Sequence, residues 1–132
     1  MTRNHFILLF LAVATLMVTR GGEFFCTHEL LIPRNAQRAF VLAGGREAAL
    51  SREEITEFIT LFNMGEDPVR YPGKPVGTRV VLEMDGGARI TVWSHSRERA
   101  GVETVSYGNV KRYTVLAPEM AQHIAGLEDP GG

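Results

Sequence analysis

A thiol, an imidazole and a carboxylate stand within four residues of one another near the start of the chain, at Cys26, His28 and Glu29. All three groups bind zinc in proteins. A structural zinc site usually takes its ligands as two close pairs, and only His95 and His123 would remain to complete such a set. The missing second pair favours a polar segment, so we predict neither a bound metal nor another cofactor. A metal-binding protein or enzyme that uses Cys26, His28 and His95 stays an alternative.

The other arrangements typical of catalysis are weak. Cys26 and a histidine would make a nucleophilic pair, but Cys26 directly follows an apolar segment and lies outside any expected cleft. Ser94 and Ser96 flank His95 without the G-x-S-x-G pattern that activates a serine. Neither H-E-x-x-H nor the phosphate-binding pattern G-x-x-x-x-G-K-[ST] occurs. We therefore predict no catalytic residues and favour a protein without enzymatic activity.

The aromatic and polar residues around Trp93 favour a binding surface. In a strand over residues 89–94, side chains alternate between two faces, so Arg89 and Trp93 share one of them. Aromatic residues and arginines are typical of protein contacts. His95 follows the same strand, and Tyr71 lies in a loop rich in Pro and Gly. We predict these four as binding residues; the alternatives are a solvated strand end, or reversed faces that place Trp93 in the core.

The clearest helix begins after Ser51. Ser51 and Glu54 have the spacing of a capping box, in which each side chain accepts a hydrogen bond from the backbone N–H of the other residue. Apolar residues then recur with helical spacing, at Ile55, Phe58, Ile59 and Phe62. Asn63-Met64-Gly65 is typical of a helix end. We predict a helix over residues 52–63.

Apolar runs separated by turn residues predict strands on both sides of this helix. The strands span residues 38–43, 47–50, 79–84, 89–94, 102–107 and 111–116, and a closing helix begins at Pro118. The alternation directs toward the core Val80, Leu82, Met84, Ile90 and Val92. Residues 64–78 are expected to form a long loop. We predict an α+β fold: a small antiparallel sheet of about five to six strands, with a four-strand meander, packed by two helices on one face.

Composition limits the classes of partner. The net charge of −1 and the scattered arginines give no basic patch, so we predict no nucleic-acid partner. A single cysteine leaves no intrachain disulfide, so stability must come from the core. The length suits one domain, which we place at residues 26–128, followed by a flexible tail at 129–132.

Residues 6–18 form an uncharged apolar run between Arg3 and Arg20. The run fits the apolar part of an export signal, which takes about 7–15 residues. At about 1.5 Å per residue, a helix of this length is shorter than the ~30 Å hydrocarbon core of a bilayer. We assign residues 1–25 to this segment. A signal peptide ranks first, an uncleaved membrane anchor through residues 6–19 second, and a buried element of the fold third.

Together these features predict a small noncatalytic domain that is exported or anchored to a membrane and that binds a protein partner at the cell envelope. An accessory structural subunit of a membrane complex is the alternative, because a short apolar segment also suits packing against other helices.

Overall fold

The structure, a computed structural model, describes residues 27–127. The apolar run at 6–18, Cys26 and the tail at 129–132 lie outside the described residues, and so do the predictions made for them. Within the described range the elements are β1 (Ala36–Ala43), β2 (Arg46–Ala49), α1 (Arg52–Asn63), β3 (Glu66–Arg70), β4 (Arg79–Met84), β5 (Arg89–Ser94), β6 (Arg99–Ser106), β7 (Asn109–Leu116) and α2 (Pro118–Gly126). Short 3-10 turns precede β1 and join β4 to β5.

All seven strands belong to one antiparallel sheet with the order β2-β1-β4-β5-β6-β7-β3. Strands β4 to β7 are consecutive neighbours, which confirms the predicted four-strand meander. Two helices pack on one face of this sheet, so the predicted α+β class is also confirmed.

Strand β3 corrects the prediction of a continuous loop over residues 64–78. It pairs with β7 at the edge of the sheet, with a register shift between Glu66 and Val69. Pro68 interrupts the apolar pattern and lacks an N–H, but an edge strand tolerates proline because one side of its backbone has no partner strand. Asp67 takes a positive φ of 48° within the irregular part. The loop proper is therefore shorter and spans residues 71–78.

Helix α1 has the predicted bounds: a local capping box satisfies its first turn, and Asn63 ties its last turn to a distant segment. The Ser51 hydroxyl accepts from the Glu54 backbone N–H at 3.2 Å, and the Glu54 carboxylate accepts from the Ser51 N–H at 3.0 Å. At the other end, the Asn63 side-chain amide accepts from the Leu31 N–H at 2.8 Å and donates to the Leu31 carbonyl at 2.9 Å. The predicted apolar stripe is buried in full.

The main core lies between the helices and one face of the sheet. Both helices contribute apolar residues to it, α2 through Met120 and Ile124. The sheet contributes the side chains that the alternation predicted, namely Val80, Leu82, Met84, Ile90 and Val92. We call this the helix face of the sheet, and the opposite side the second face.

No helix within residues 27–127 combines the length and the apolar character that crossing a bilayer requires.

Candidate binding groove

The second face of the sheet is ordered in cross-strand rows. One row runs from Leu42 through Arg79, Trp93 and Gly101 to Thr114. The next row contains Phe40, Val81, Thr91, Glu103 and Arg112, and a third contains Arg38, Glu83, Arg89 and Val105. Cross-strand neighbours of this kind have Cβ atoms about 4.5–5.5 Å apart, so each row brings its side chains into contact.

The loop over residues 71–78 covers one end of this face. It connects the edge strand β3 to the interior strand β4, so it has to cross β7, β6 and β5. Pro75 lines a depression together with Phe40 and Thr91 of the second face, which places the crossing on this side. Trp93 lies in the path of the loop and is completely buried.

Trp93 therefore occupies the predicted face without being exposed on it. The faces are not reversed, because Trp93 lies opposite the helix-face residue Val92 on the same strand. Its burial comes from the crossing loop and from the absence of a side chain at Gly101, over which the indole lies. The indole N–H has no hydrogen-bond partner among residues 27–127. Trp93 supports the surface around it and offers no exposed area of its own.

The other three predicted binding residues lie at opposite ends of the second face. Tyr71 and His95 meet where the loop crosses the end of β5, with ring centroids 4.5 Å apart in an edge-to-face arrangement. The Tyr71 ring also lies against the backbone of Gly73. Arg89 stands four residues before Trp93 on the same strand, which is about 13 Å at 3.3 Å per residue. The structure thus brings Tyr71, His95 and Trp93 together and leaves Arg89 at the far end of the face.

A groove of about 510 Å³ lies on the second face between these places. Its floor is apolar and consists of Phe40, Leu42, Val81 and Val105, with Pro75 at the rim. The charged residues Arg79, Arg89 and Glu103 also line it. Binding pockets for small ligands and side chains have volumes of roughly 300–1,000 Å³ and combine apolar walls with a few polar groups. The groove meets both criteria.

Glu83 and Glu103, the glutamates of the central strands on this face, are already paired with arginines. Glu83 accepts from Arg38 at 2.7 Å and from Arg89 at 3.4 Å. Glu103 accepts from Arg112 at 2.7 Å. The hydrogen bond from Arg38 is the main cause that holds the pKa of Glu83 below its ordinary value. Both carboxylates therefore already have arginine partners within the described residues.

Arg79 differs from the other arginines of the second face. Its single hydrogen bond is a long one, from Nη1 to the Pro75 carbonyl at 3.5 Å, and its Nε atom is buried with no partner. Among residues 27–127 no carboxylate lies within ion-pair distance of it. Sequence reasoning did not select Arg79. The alternation that places Val81 and Glu83 on the second face also places Arg79 there, so the signal was present.

His28 has a structural environment. Its Nε2 lies 2.6 Å from the Phe62 carbonyl, which only accepts, so Nε2 carries the proton. Nδ1 then accepts from the Tyr113 hydroxyl at 2.9 Å. Burial is the main cause that lowers the pKa of His28 below its ordinary value, so the ring is neutral at neutral pH. Both nitrogens are engaged, and no cluster of three or more potential metal ligands occurs in the described part of the chain.

A second depression of about 470 Å³ lies where α1 ends and α2 begins. Leu61, Met64 and Met120 give it apolar walls, and Glu66 and Glu119 stand at its edge. None of the four predicted binding residues lines it.

The chain has no significant match among known protein families, curated proteins or solved structures.

Proposed function

We propose that this chain is a noncatalytic binding domain that works at the cell envelope and engages a protein partner through the groove on its second face. The first 25 residues direct it there, either as an export signal or as a membrane anchor. The apolar run at residues 6–18 is the support for this location.

The observation that carries the binding role is the combination of an apolar floor and an incompletely paired arginine on the second face. The two helices within residues 27–127 cover the opposite side of the sheet. Leu42 and Val105 remain partly exposed in the groove, although apolar side chains gain free energy when they are removed from water. A partner segment lying in the groove would cover them.

Site-specific cross-linking in cells tests the binding role. A photoreactive benzoylphenylalanine replaces Leu42 in the groove, or Glu57 on the exposed side of α1 as the matched control. We expect one defined adduct from position 42 and none from position 57. The captured protein is then purified, and its affinity for the full-length chain is measured directly.

In that reconstituted pair, Leu42→Asp should weaken binding, because it places a charge on the apolar floor, whereas Glu57→Lys should leave the affinity unchanged. Equal adducts from both positions, or an affinity that does not respond to Leu42→Asp, would refute the proposed surface.

The location is tested separately by fractionation and by the intact mass of the protein. A mass that begins near Gly22 indicates a released protein, and a mass that begins at Met1 in the membrane fraction indicates an anchor. Full-length protein in the soluble fraction of the cytoplasm would contradict the proposed location.

A further inference from the structure

Arg79 has more hydrogen-bonding capacity than its surroundings use. A guanidinium carries five N–H donors in a planar fork, and Arg79 uses one of them in a long bond to the Pro75 carbonyl. Within the described part of the chain, the buried Nε has no partner. A buried polar atom without a partner is uncommon in a folded protein and calls for an explanation.

The remaining charges of the second face do not supply that partner. Glu83 lies two rows from Arg79 and is held by Arg38 and Arg89. Glu103 is held by Arg112. With Glu47, which stands beside Leu42 on β2, four arginines and three glutamates project from these rows, and among the described residues Arg79 is the arginine without an ion pair. The groove therefore presents, at its Arg79 end, a guanidinium that has no ion pair within the described residues.

The apolar floor determines what kind of anion would suit the groove. Leu42 is the cross-strand neighbour of Arg79 and is partly exposed, so a carboxylate at Arg79 has open apolar surface directly beside it. A small inorganic anion would leave that surface uncovered. A carboxylate joined to an apolar group would cover it, and carboxylates pair with guanidinium groups in a two-point arrangement that favours arginine.

We infer that the segment bound in the groove presents an acidic side chain to Arg79 and an adjacent apolar side chain to the part of the floor around Leu42. The inference rests on the proposed function and specifies the chemistry of the partner. Arg79 selects the partner by its charge, while the floor contributes through buried apolar area.

Peptide selection tests this chemistry without a known partner. The full-length chain, immobilised in a mild detergent, is used to select binders from a displayed library of random short peptides. We expect the selected peptides to carry Asp or Glu beside an apolar residue. Replacing that acid by its amide in a synthetic peptide should weaken binding to the unaltered protein roughly tenfold or more, because a charge-assisted hydrogen bond is lost.

Protein variants give the complementary measurement. Arg79→Gln should reduce affinity for the acidic peptides about as much as the amide replacement does, and Arg97→Gln, at an exposed arginine outside the groove, should not. Arg79→Glu should select peptides that carry Lys or Arg in place of the acid. The amide replacement in the peptide keeps the test decisive even if an Arg79 variant fails to fold.

The outcomes separate this inference from the binding role. Peptides that lose affinity with Leu42→Asp but bind equally well with acid or amide would overturn the role of Arg79 and leave the groove as a binding surface. If every selected peptide is insensitive to Leu42→Asp, both proposals are overturned.

Discussion

Trp93 and Gly101 are cross-strand neighbours on β5 and β6, and the indole ring lies over the glycine so closely that a Cβ at position 101 would fall within 3.0 Å of it. Trp93 is completely buried although it stands on the side of the sheet opposite α1 and α2. The glycine provides the space, and the loop over residues 71–78 provides the cover. This pair therefore supports the end of the groove where Arg79 lies.

Gly101→Ala should destabilise the protein by about 1–3 kcal/mol, the usual cost of overpacking a close-packed site. Gly126→Ala is the matched control, because nothing lies within 4 Å of its added Cβ and the position is helical. The free energy of unfolding from urea titration distinguishes the two variants.

The same pair predicts a coupling that a double-mutant cycle measures. If the loss of stability in Gly101→Ala arises from contact with the indole, that loss should be smaller by about 1 kcal/mol or more when Trp93 is first replaced by Leu. The stability effects of substitutions at residues in contact are not additive. Additive effects would show that Gly101 is required for another reason.

His28 predicts a loss of stability in mild acid. Its pKa in the folded state is lower than the ordinary value of 6.5, mainly because of burial. The unfolded chain therefore binds the proton more readily, and the free energy of unfolding falls as the pH drops below 6.5 toward the folded pKa. Protonation also abolishes the acceptor at Nδ1, to which the Tyr113 hydroxyl donates.

Urea titrations at several pH values between 7.5 and 5 give the measurement. We expect His28→Gln to be less stable than the parent at neutral pH, because it loses the ring contacts with Phe62 and Tyr113. The difference between the two proteins should narrow as the pH falls. A constant difference across the range would contradict the assignment of a neutral His28.

Arg99 holds the edge strand β3 in place. Its guanidinium donates to the backbone carbonyl of Asp67 and, at 3.2 Å, to the Asp67 carboxylate, while Nε donates to the Thr114 hydroxyl at 3.1 Å. Arg99→Gln should therefore accelerate amide hydrogen exchange at Arg70 and Tyr71 by roughly tenfold, the effect of losing about one charge-assisted hydrogen bond. Exchange in β5 should be unaffected.

Arg97→Gln is the control for this measurement, because Arg97 is exposed in the turn between β5 and β6. If both substitutions leave exchange in β3 unchanged, the pairing of β3 with β7 is sufficient to hold the strand, and the contacts of Arg99 are incidental.

The capping box of α1 predicts a measurable local contribution to stability. Ser51→Ala removes the hydroxyl that accepts from the Glu54 N–H and should cost about 1 kcal/mol. Thr60→Ala is the control, because the Thr60 hydroxyl only donates back to the Thr56 carbonyl within the helix. That substitution should be neutral or slightly stabilising. Thermal or urea unfolding measures both, and equal losses would contradict the cap assignment.

Local sequence was enough to predict helix α1, the four-strand meander and the face on which Trp93 stands. Each depends on residues close together in the chain: the cap at Ser51, the helical spacing of Ile55 and Phe58, and the alternation along residues 89–94. Such patterns are readable because the helix and strand periods set the direction of each side chain relative to its neighbours.

Only the tertiary structure decided which strands pair, which side chains are buried and which charges form ion pairs. Strand β3 exists because β7, more than forty residues later, offers it a partner, and the local sequence around Pro68 carries no such information. The burial of Trp93 depends on Gly101 and on a loop from another part of the chain. The isolation of Arg79 likewise depends on where Glu83 and Glu103 find their partners. Helix and strand periods describe only residues that are close together in the sequence. Burial and ion pairing depend on contacts between distant segments, so they could be read only from the assembled sheet.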